Sequence, residues 1–229
     1  MNTIIPTSIV ILFAITTLLC VILFVRVVSL SKSHDNLVVP ISLGLVLWMG
    51  ILMLASLNGF YIISSDGFPK IILGFAPTLI TIAALFATNR GRAFLDSLPL
   101  RALTWIHVVR IPVEIALYIL FLRQLVPELM TFAGRNFDII GGITAPLIIA
   151  FIDWKQPKKR GILLTWNILV LGFLLFIIVN ALLSAPLSFQ QFGFDQPNVA
   201  IAYFPMIWLP GVVVPIVLLS HLTAIRRLL

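Results

Sequence analysis

Arg110 and Glu114 stand four residues apart near the middle of LTWIHVVRIPVEIALYILFLRQLV, Leu103 to Val126, an apolar stretch long enough to cross a bilayer. A charge at the bilayer centre costs about 2.5–3.5 kcal/mol on insertion scales, so such residues face a protein interior or a wet cavity and mark a functional site by default. At ~100° per residue His107, Arg110, Glu114 and Tyr118 share one helix face, and the i,i+4 spacing predicts that Arg110 pairs with Glu114. Such a face could coordinate a polar or ionised group or pass a proton. The plainer alternative is an ion pair that ties helices together. Pro112, between the two charges, has no N–H for the carbonyl of Val108, which predicts a kink or a freed acceptor beside them.

Other polar residues in apolar runs extend the list. Tyr118 and Asn180 are candidates to orient a ligand held by Arg110 and Glu114, and Tyr203 to close its outer side. Asn167 and Asn180 share one apolar run, and buried Asn is commonly an interhelical tie. His107 is six residues from Arg101 and His221 five from Arg226, so at ~1.5 Å per residue both histidines lie at matched depth inside one end of their helices. Two such imidazoles could ligate a b-type haem axially. With Asp153 they could instead hold Zn²⁺ and leave its fourth position open to water. The ligand-binding reading requires no cofactor. Cys20, the single cysteine, has no acidic or histidine neighbour at helical spacing and reads as an inert buried thiol.

The elements that position these residues follow from composition. Hydrophobic residues make up 61% and charged residues 10% of the 229 residues, against roughly 25% charged in soluble domains. The mean hydropathy is +1.15, and the class is an all-α polytopic membrane protein whose first partner is the lipid bilayer. Spans need about 20 apolar residues each. Seven are expected: Ile4 to Leu30, Leu37 to Leu57, Ile71 to Thr88, Leu103 to Val126, Asp138 to Trp154, Ile162 to Ser184, and Val199 to Ile225, forming a single transmembrane domain over residues 1–229. The apolar start lacks the basic residues of a cleavable signal peptide, so it is read as the first span. One set of connections holds eleven basic residues (Arg26, Lys32, Arg90, Arg92, Arg101, Lys155, Lys158, Lys159, Arg160, Arg226 and Arg227) and the other only Lys70, Arg123 and Arg135. The positive-inside rule then places the N-terminus outside and the C-terminus in the cytoplasm.

The net charge of +7 is thus mostly a topology signal. No exposed basic domain with stacking aromatics is present, which excludes nucleic-acid binding. A retinal Schiff base needs a Lys in the last span, and Val199 to Leu229 has none. Asn89 to Arg101, NRGRAFLDSLPLR, mixes Arg with Phe and Leu and suits a segment lying on the cytoplasmic interface. Met130 to Asp138 (MTFAGRNFD) and Ser188 to Asn198 (SFQQFGFDQPN) are rich in Phe. They are read as interfacial anchors or as a lid over an outward-facing pocket, with Arg135, Asp138, Gln190, Gln191 and Asp195 wet.

Shifting the chain on itself by 128 residues lays Leu43-Gly44 on Leu171-Gly172, Pro69 on Pro197 and Pro77 on Pro205. PKIILGFAP then matches PNVAIAYFP in the pattern P-x-[IV]-x-[LI]-x-[FY]-x-P. The offset predicts that residues 4–88 repeat as 132–225 with Leu103 to Val126 as linker helix, a device of transporters. This 3+1+3 plan resembles the SWEET sugar transporters and their PQ-loop relatives, and the resemblance implies transport. MTFAGRNFDIIGGITAP (Met130 to Pro146) and QPNVAIAYFPMIWLP (Gln196 to Pro210) resemble an uncharacterised family of bacterial seven-helix membrane proteins. That likeness implies a bacterial inner membrane. The function expected is a small-molecule carrier or ligand-binding membrane protein that takes a small polar ligand. The alternatives are a membrane metal or haem enzyme at the histidines, and a non-catalytic interaction partner.

Overall fold

The computed structural model describes residues 5–31, 35–62, 69–152, 154 and 160–229. His34, Asp153, Lys32, Lys155, Lys158 and Lys159 lie outside them. The described residues are all-α, without strands: α1 (Thr7–Ser29), α2 (Val38–Leu57), α3 (Ile72–Ala87), α4 (Asn89–Ser97), α5 (Leu100–Ile106), α6 (Arg110–Leu122), α7 (Asp138–Phe151), α8 (Arg160–Leu183) and α9 (Val214–Leu228). Runs of Leu, Ile, Val and Phe that are apolar all round form helices because every backbone polar group is satisfied within the segment. Hydroxyls inside these runs follow suit: Thr16 and Thr17 donate to the carbonyls of Leu12 and Phe13 at 2.8 and 2.9 Å.

Among the described residues five helical stretches are long and apolar enough to cross a membrane: Thr7–Ser29, Val38–Leu57, Leu100–Leu122, Arg160–Leu183 and Leu209–Leu228. The expected third and fifth spans are shorter, with 16 residues in α3 and 14 in α7. The chain bends by 94° between α3 and α4. Thr88 makes the corner in extended conformation, and its hydroxyl accepts from the N–H of Gly91 at 3.1 Å, capping α4. A Cβ on Gly91 would lie 2.3 Å from the Leu85 carbonyl oxygen, so only glycine permits so tight a return. Arg92 donates to the carbonyls of Phe86 and Ala87 at 2.9 and 3.0 Å, satisfying acceptors that the end of α3 leaves open. The amphipathic segment expected at Asn89 to Arg101 is therefore α4, with Phe94 and Leu95 buried and Asp96 joined to Arg226 by two 2.9 Å bonds.

Two breaks have prolines behind them. Pro112 gives no hydrogen bond to Val108, and a 3-10 turn at His107–Val109 separates α5 from α6, the irregularity expected there. Ahead of α9, Leu209–Val213 forms a π-helical turn between Pro210 and Pro215. Pro215 has no N–H for the carbonyl of Gly211, and the indole of Trp48 on α2 donates to that oxygen at 3.1 Å instead. Trp208 donates to the Met49 carbonyl at 3.0 Å and Ser56 to that of Ala202 at 2.9 Å, fastening α2 alongside.

The centre belongs to the last helix and to α5–α6. Of the most apolar stretch of Leu209–Leu228, 61% is buried, and of Leu100–Leu122 50%, against 11% in α2, which presents Leu43, Val46, Leu47 and Leu54 outward. The 128-residue shift carries α1 onto α7 and α2 onto α8. It carries α3, which ends at the 94° bend, onto residues 200–215, a 3-10 turn, an irregular stretch and a π turn that run on into α9.

Candidate functional site

Arg110, at the first turn of α6, is 2% exposed and points into the bundle. Its Nη1 donates to Asp138 Oδ1 at 2.7 Å, across to the first residue of α7. This corrects the expected pairing. Arg110 and Glu114 share a helix face, but among the described residues the guanidinium's ion-pair partner is Asp138. Nor is Asp138 wet: it is 6% exposed. Two glycines make room for this arrangement. A Cβ on Gly141 would fall 2.6 Å from Arg110 Nη1 and 2.4 Å from Val170 Cγ1, and one on Gly142 would fall 2.9 Å from Ile111 Cγ1.

The second guanidinium nitrogen, Nη2, meets His221 Nε2 on α9 at 2.8 Å. Arginine can only donate, so Nε2 is the acceptor and the ring proton sits on Nδ1. Nδ1 accordingly donates to Asn167 Oδ1 at 2.9 Å, and Asn167 Nδ2 donates to the Leu163 carbonyl at 2.9 Å. The pattern is self-consistent for a neutral imidazole, and Asn167 is the interhelical tie that its place in α8 suggested. His107 stacks on His221 with ring centroids 4.0 Å apart, and Trp166 closes the group edge-on to His107 at 5.4 Å. Trp166 itself donates to Thr144 Oγ1 at 2.9 Å.

The histidines are thus brought together as their matched depth predicts, but in a different role. Axial haem ligation requires two nitrogens facing each other across a porphyrin; rings in face-to-face contact leave no gap for one. Both nitrogens of His221 are already engaged, so its lone pair is not free for zinc. Asp153, the third ligand of that alternative, lies outside the described residues. No group of three or more His, Cys, Asp or Glu able to hold a metal occurs among those described.

On the other side of the ion pair, Glu114 is 1% exposed. Asn136, from the loop before α7, donates through Nδ2 to Glu114 Oε1 at 2.5 Å and to the Met130 carbonyl at 3.0 Å, while its Oδ1 accepts from the Asp138 N–H at 2.9 Å. Within residues 130–138, Met130, Thr131, Asn136 and Asp138 are buried, while Phe132 to Arg135 and Phe137 stay exposed. Glu114 Oε2 has no hydrogen-bond partner among the described residues. It lies at a cavity of about 230 Å³ walled by α3 and α8, with α6 and the start of α9 behind. Phe75, Leu117, Leu174, Ile178 and Val214 typify the lining. The polar residues on its wall are Glu114, Asn136, Asp138 and Asn198, and no cation is among them. The second Phe-rich loop closes the same end. Gln196 donates to the carbonyls of Phe121 and Val126 at 2.8 and 2.6 Å, and Asn198 to that of Ala181 at 3.2 Å.

Three expected site residues stand apart from this cluster. Tyr118 stacks on Phe132 at 4.8 Å, half-buried. Asn180 donates back to the Phe176 carbonyl of its own helix at 3.0 Å, and Tyr203, half-buried, follows the 3-10 turn Ala200–Ala202. Asp138, Asn136, Gly141 and Trp166 join the site without having been singled out for it. The available signal was Asn136-Phe-Asp138 opening a helix whose next turn is Gly141-Gly142.

The model of one family, a domain of unknown function (DUF8737), matches residues 68–229. The chain belongs to that family. Arg110, Glu114, Asn136, Asp138, Asn167, His221 and the whole cavity wall fall inside the matched stretch, whereas α1 and α2 precede it. No curated protein matches the chain, and no solved structure does.

Proposed function

We propose that this is an integral membrane protein that binds a small amphipathic molecule and carries it within or across the bilayer. The observation that supports this is the pairing of an apolar cavity of about 230 Å³ with a buried carboxylate oxygen on its wall that no group among the described residues satisfies. Burying a polar group without a partner costs roughly 1–3 kcal/mol, and more for a charged one, so a fold keeps one where something else completes it. A mostly apolar cavity with a few convergent polar groups is the usual form of a small-molecule site. Arg110, Asp138, His221 and Asn167 brace the helices behind it, so that the carboxylate stays fixed while the cavity fills and empties.

The finer architecture belongs to the same proposal. Seven spans, with α3 and α7 as the short ones, put the N-terminus outside and the C-terminus in the cytoplasm of a bacterial inner membrane, by the eleven-to-three basic asymmetry. The cavity then lies in the outer half of the bundle, under the loops that carry Asn136 and Gln196. A 3+1+3 relation is supported by the single offset that aligns the first two helices of each triplet, and α3 and α9 have diverged most.

The test is to purify the wild-type protein and an Ala181→Trp variant, which fills the cavity, from native membranes and to compare bound small molecules by native mass spectrometry. The expected result is a bound mass of one copy per chain in the wild type and its loss in the variant. A wild type without bound mass, indifferent in stability to the same substitution, would overturn the proposal.

A further inference from the structure

Resting on that reading, we infer that the ligand carries a single positive charge or amine head on a short alkyl chain, with Glu114 as the group that receives the head. Among the described residues the cavity wall presents two carboxylates, Glu114 and Asp138, and two amides, Asn136 and Asn198, and no Lys, Arg or His. Arg110 bonds Asp138 at 2.7 Å, so that carboxylate has its counter-ion. Among the described residues Glu114 has only the Asn136 amide on Oε1, and Oε2 is buried without a hydrogen-bond partner. The formal charges of Arg110, Asp138 and Glu114 leave one negative charge over. A protonated amine supplies both the missing charge and an N–H donor for Oε2, a charge-assisted bond that is about twice as strong as a neutral one. A carboxylate or phosphate head would meet two like charges and no cation on the wall, a juxtaposition that specificity uses to reject ligands.

Volume sets the tail. At about 30 Å³ per heavy atom, the share a water molecule takes in the liquid, 230 Å³ holds roughly seven or eight atoms, the carbons of an octyl tail whose head lies against Glu114 on the wall. Apart from Glu114, Asn136, Asp138 and Asn198, the described lining offers that chain apolar surface, including Leu174, Ile178 and Leu218.

The experiment uses three probes of equal length and different head: octylamine, octanol and octanoate. Binding to the full-length protein in a non-ionic detergent is measured at pH 7 by titration calorimetry and by the rise of the thermal unfolding midpoint. Octylamine should bind about tenfold or more tightly than octanol, and octanoate should bind no better than octanol. Glu114→Gln should bring octylamine down to the level of octanol, and Ala181→Trp should remove both. Equal binding of octylamine and octanol would mean that Glu114 holds its own proton and would overturn the cationic head. Preference for octanoate would overturn it too, while leaving the cavity a ligand site. Binding of none of the three, or binding unaffected by Ala181→Trp, would overturn the proposed function itself. The selectivity among the probes is read on the wild type, so it decides the matter even where Glu114→Gln does not fold.

Discussion

Replacing Arg110 by Met removes the counter-ion of Asp138 and the donor to His221 Nε2 in one step. Asp138, with its side chain 9% exposed, is left as an uncompensated buried charge 2.7 Å from where its partner stood. Breaking a buried pair in this way costs about 3–5 kcal/mol. The bare imidazole nitrogen adds roughly 1–3 kcal/mol. By the scaling of soluble domains of this size, the ion-pair part alone lowers the unfolding midpoint by about 6–20 °C. The discriminating measurement is which second substitution restores stability. Arg110→Met with Asp138→Leu removes both members of the pair and should recover most of the ion-pair loss, though not the part due to His221. Arg110→Met with Glu114→Leu, the pair that helical spacing suggests, leaves Asp138 stranded and should recover little. Thermal unfolding of the purified variants in one detergent, followed by intrinsic tryptophan fluorescence, reads the comparison directly. Rescue by Glu114→Leu and not by Asp138→Leu would refute the assignment of Asp138 as partner and, with it, the spare charge at the cavity.

Gly141→Ala drives a methyl group to 2.6 Å from Arg110 Nη1 and 2.4 Å from Val170 Cγ1, and overpacking of this kind should destabilise by about 1–3 kcal/mol, again read as a lower unfolding midpoint. Trp48→Phe keeps an aromatic ring but strips the donor from the Gly211 carbonyl, which Pro215 cannot serve; a loss of about 1–3 kcal/mol is expected, while the same change at the exposed Trp105 should do little. The link between α4 and α9 should respond to acid. The hydrogen bond from Arg226 holds the Asp96 carboxyl below the usual carboxylate range. Its stabilisation is therefore fully present above the ordinary carboxylate value and lost only as pH falls through the depressed one. Hydrogen exchange of α4 amides should stay slow down to the ordinary carboxylate range and quicken below it. Asp96→Asn should show no such step. Quickening at neutral pH would break the link between this bond and the docking of α4.

What could be read from the chain alone divides by distance along it. The apolar runs become α1, α2, α5–α6, α8 and α9 because stretches with so few polar side chains must satisfy their backbone polar groups within the segment, a local requirement. Pro112 marks the His107–Val109 turn for the same reason, and the amphipathic mix of NRGRAFLDS gives α4. The site does not obey local rules. Asp138 is 28 residues from Arg110, Asn136 is 22 from Glu114, and His221 is 111 from Arg110. Spacing along one helix named Arg110 and Glu114 correctly as buried charges, then offered the nearest carboxylate as partner. Across helices the geometry is set by how closely α7 approaches α6, and that approach is licensed by Gly141 and Gly142, which carry no chemistry of their own. Likewise Asn136, in the loop, and Asp138, at the first position of α7, have Phe and Arg neighbours, a composition that suggests water, yet Asn136 turns inward to deliver an amide to Glu114.

That exchange of partners changes what the site can bind. Had Arg110 paired with Glu114 along the helix, that face would be neutral and the unanswered carboxylate would be Asp138 at the start of α7. Because Asp138 takes the guanidinium instead, Glu114 is left with one amide and an empty oxygen against an apolar cavity. The neutral His221 reinforces this outcome: with Nε2 accepting from Arg110, it adds no positive charge that could answer Glu114. The braced cluster of Arg110, Asp138, His221 and Asn167 therefore has its charges settled internally. The chemistry is displaced one helical turn along α6, to the carboxylate that remains unsettled.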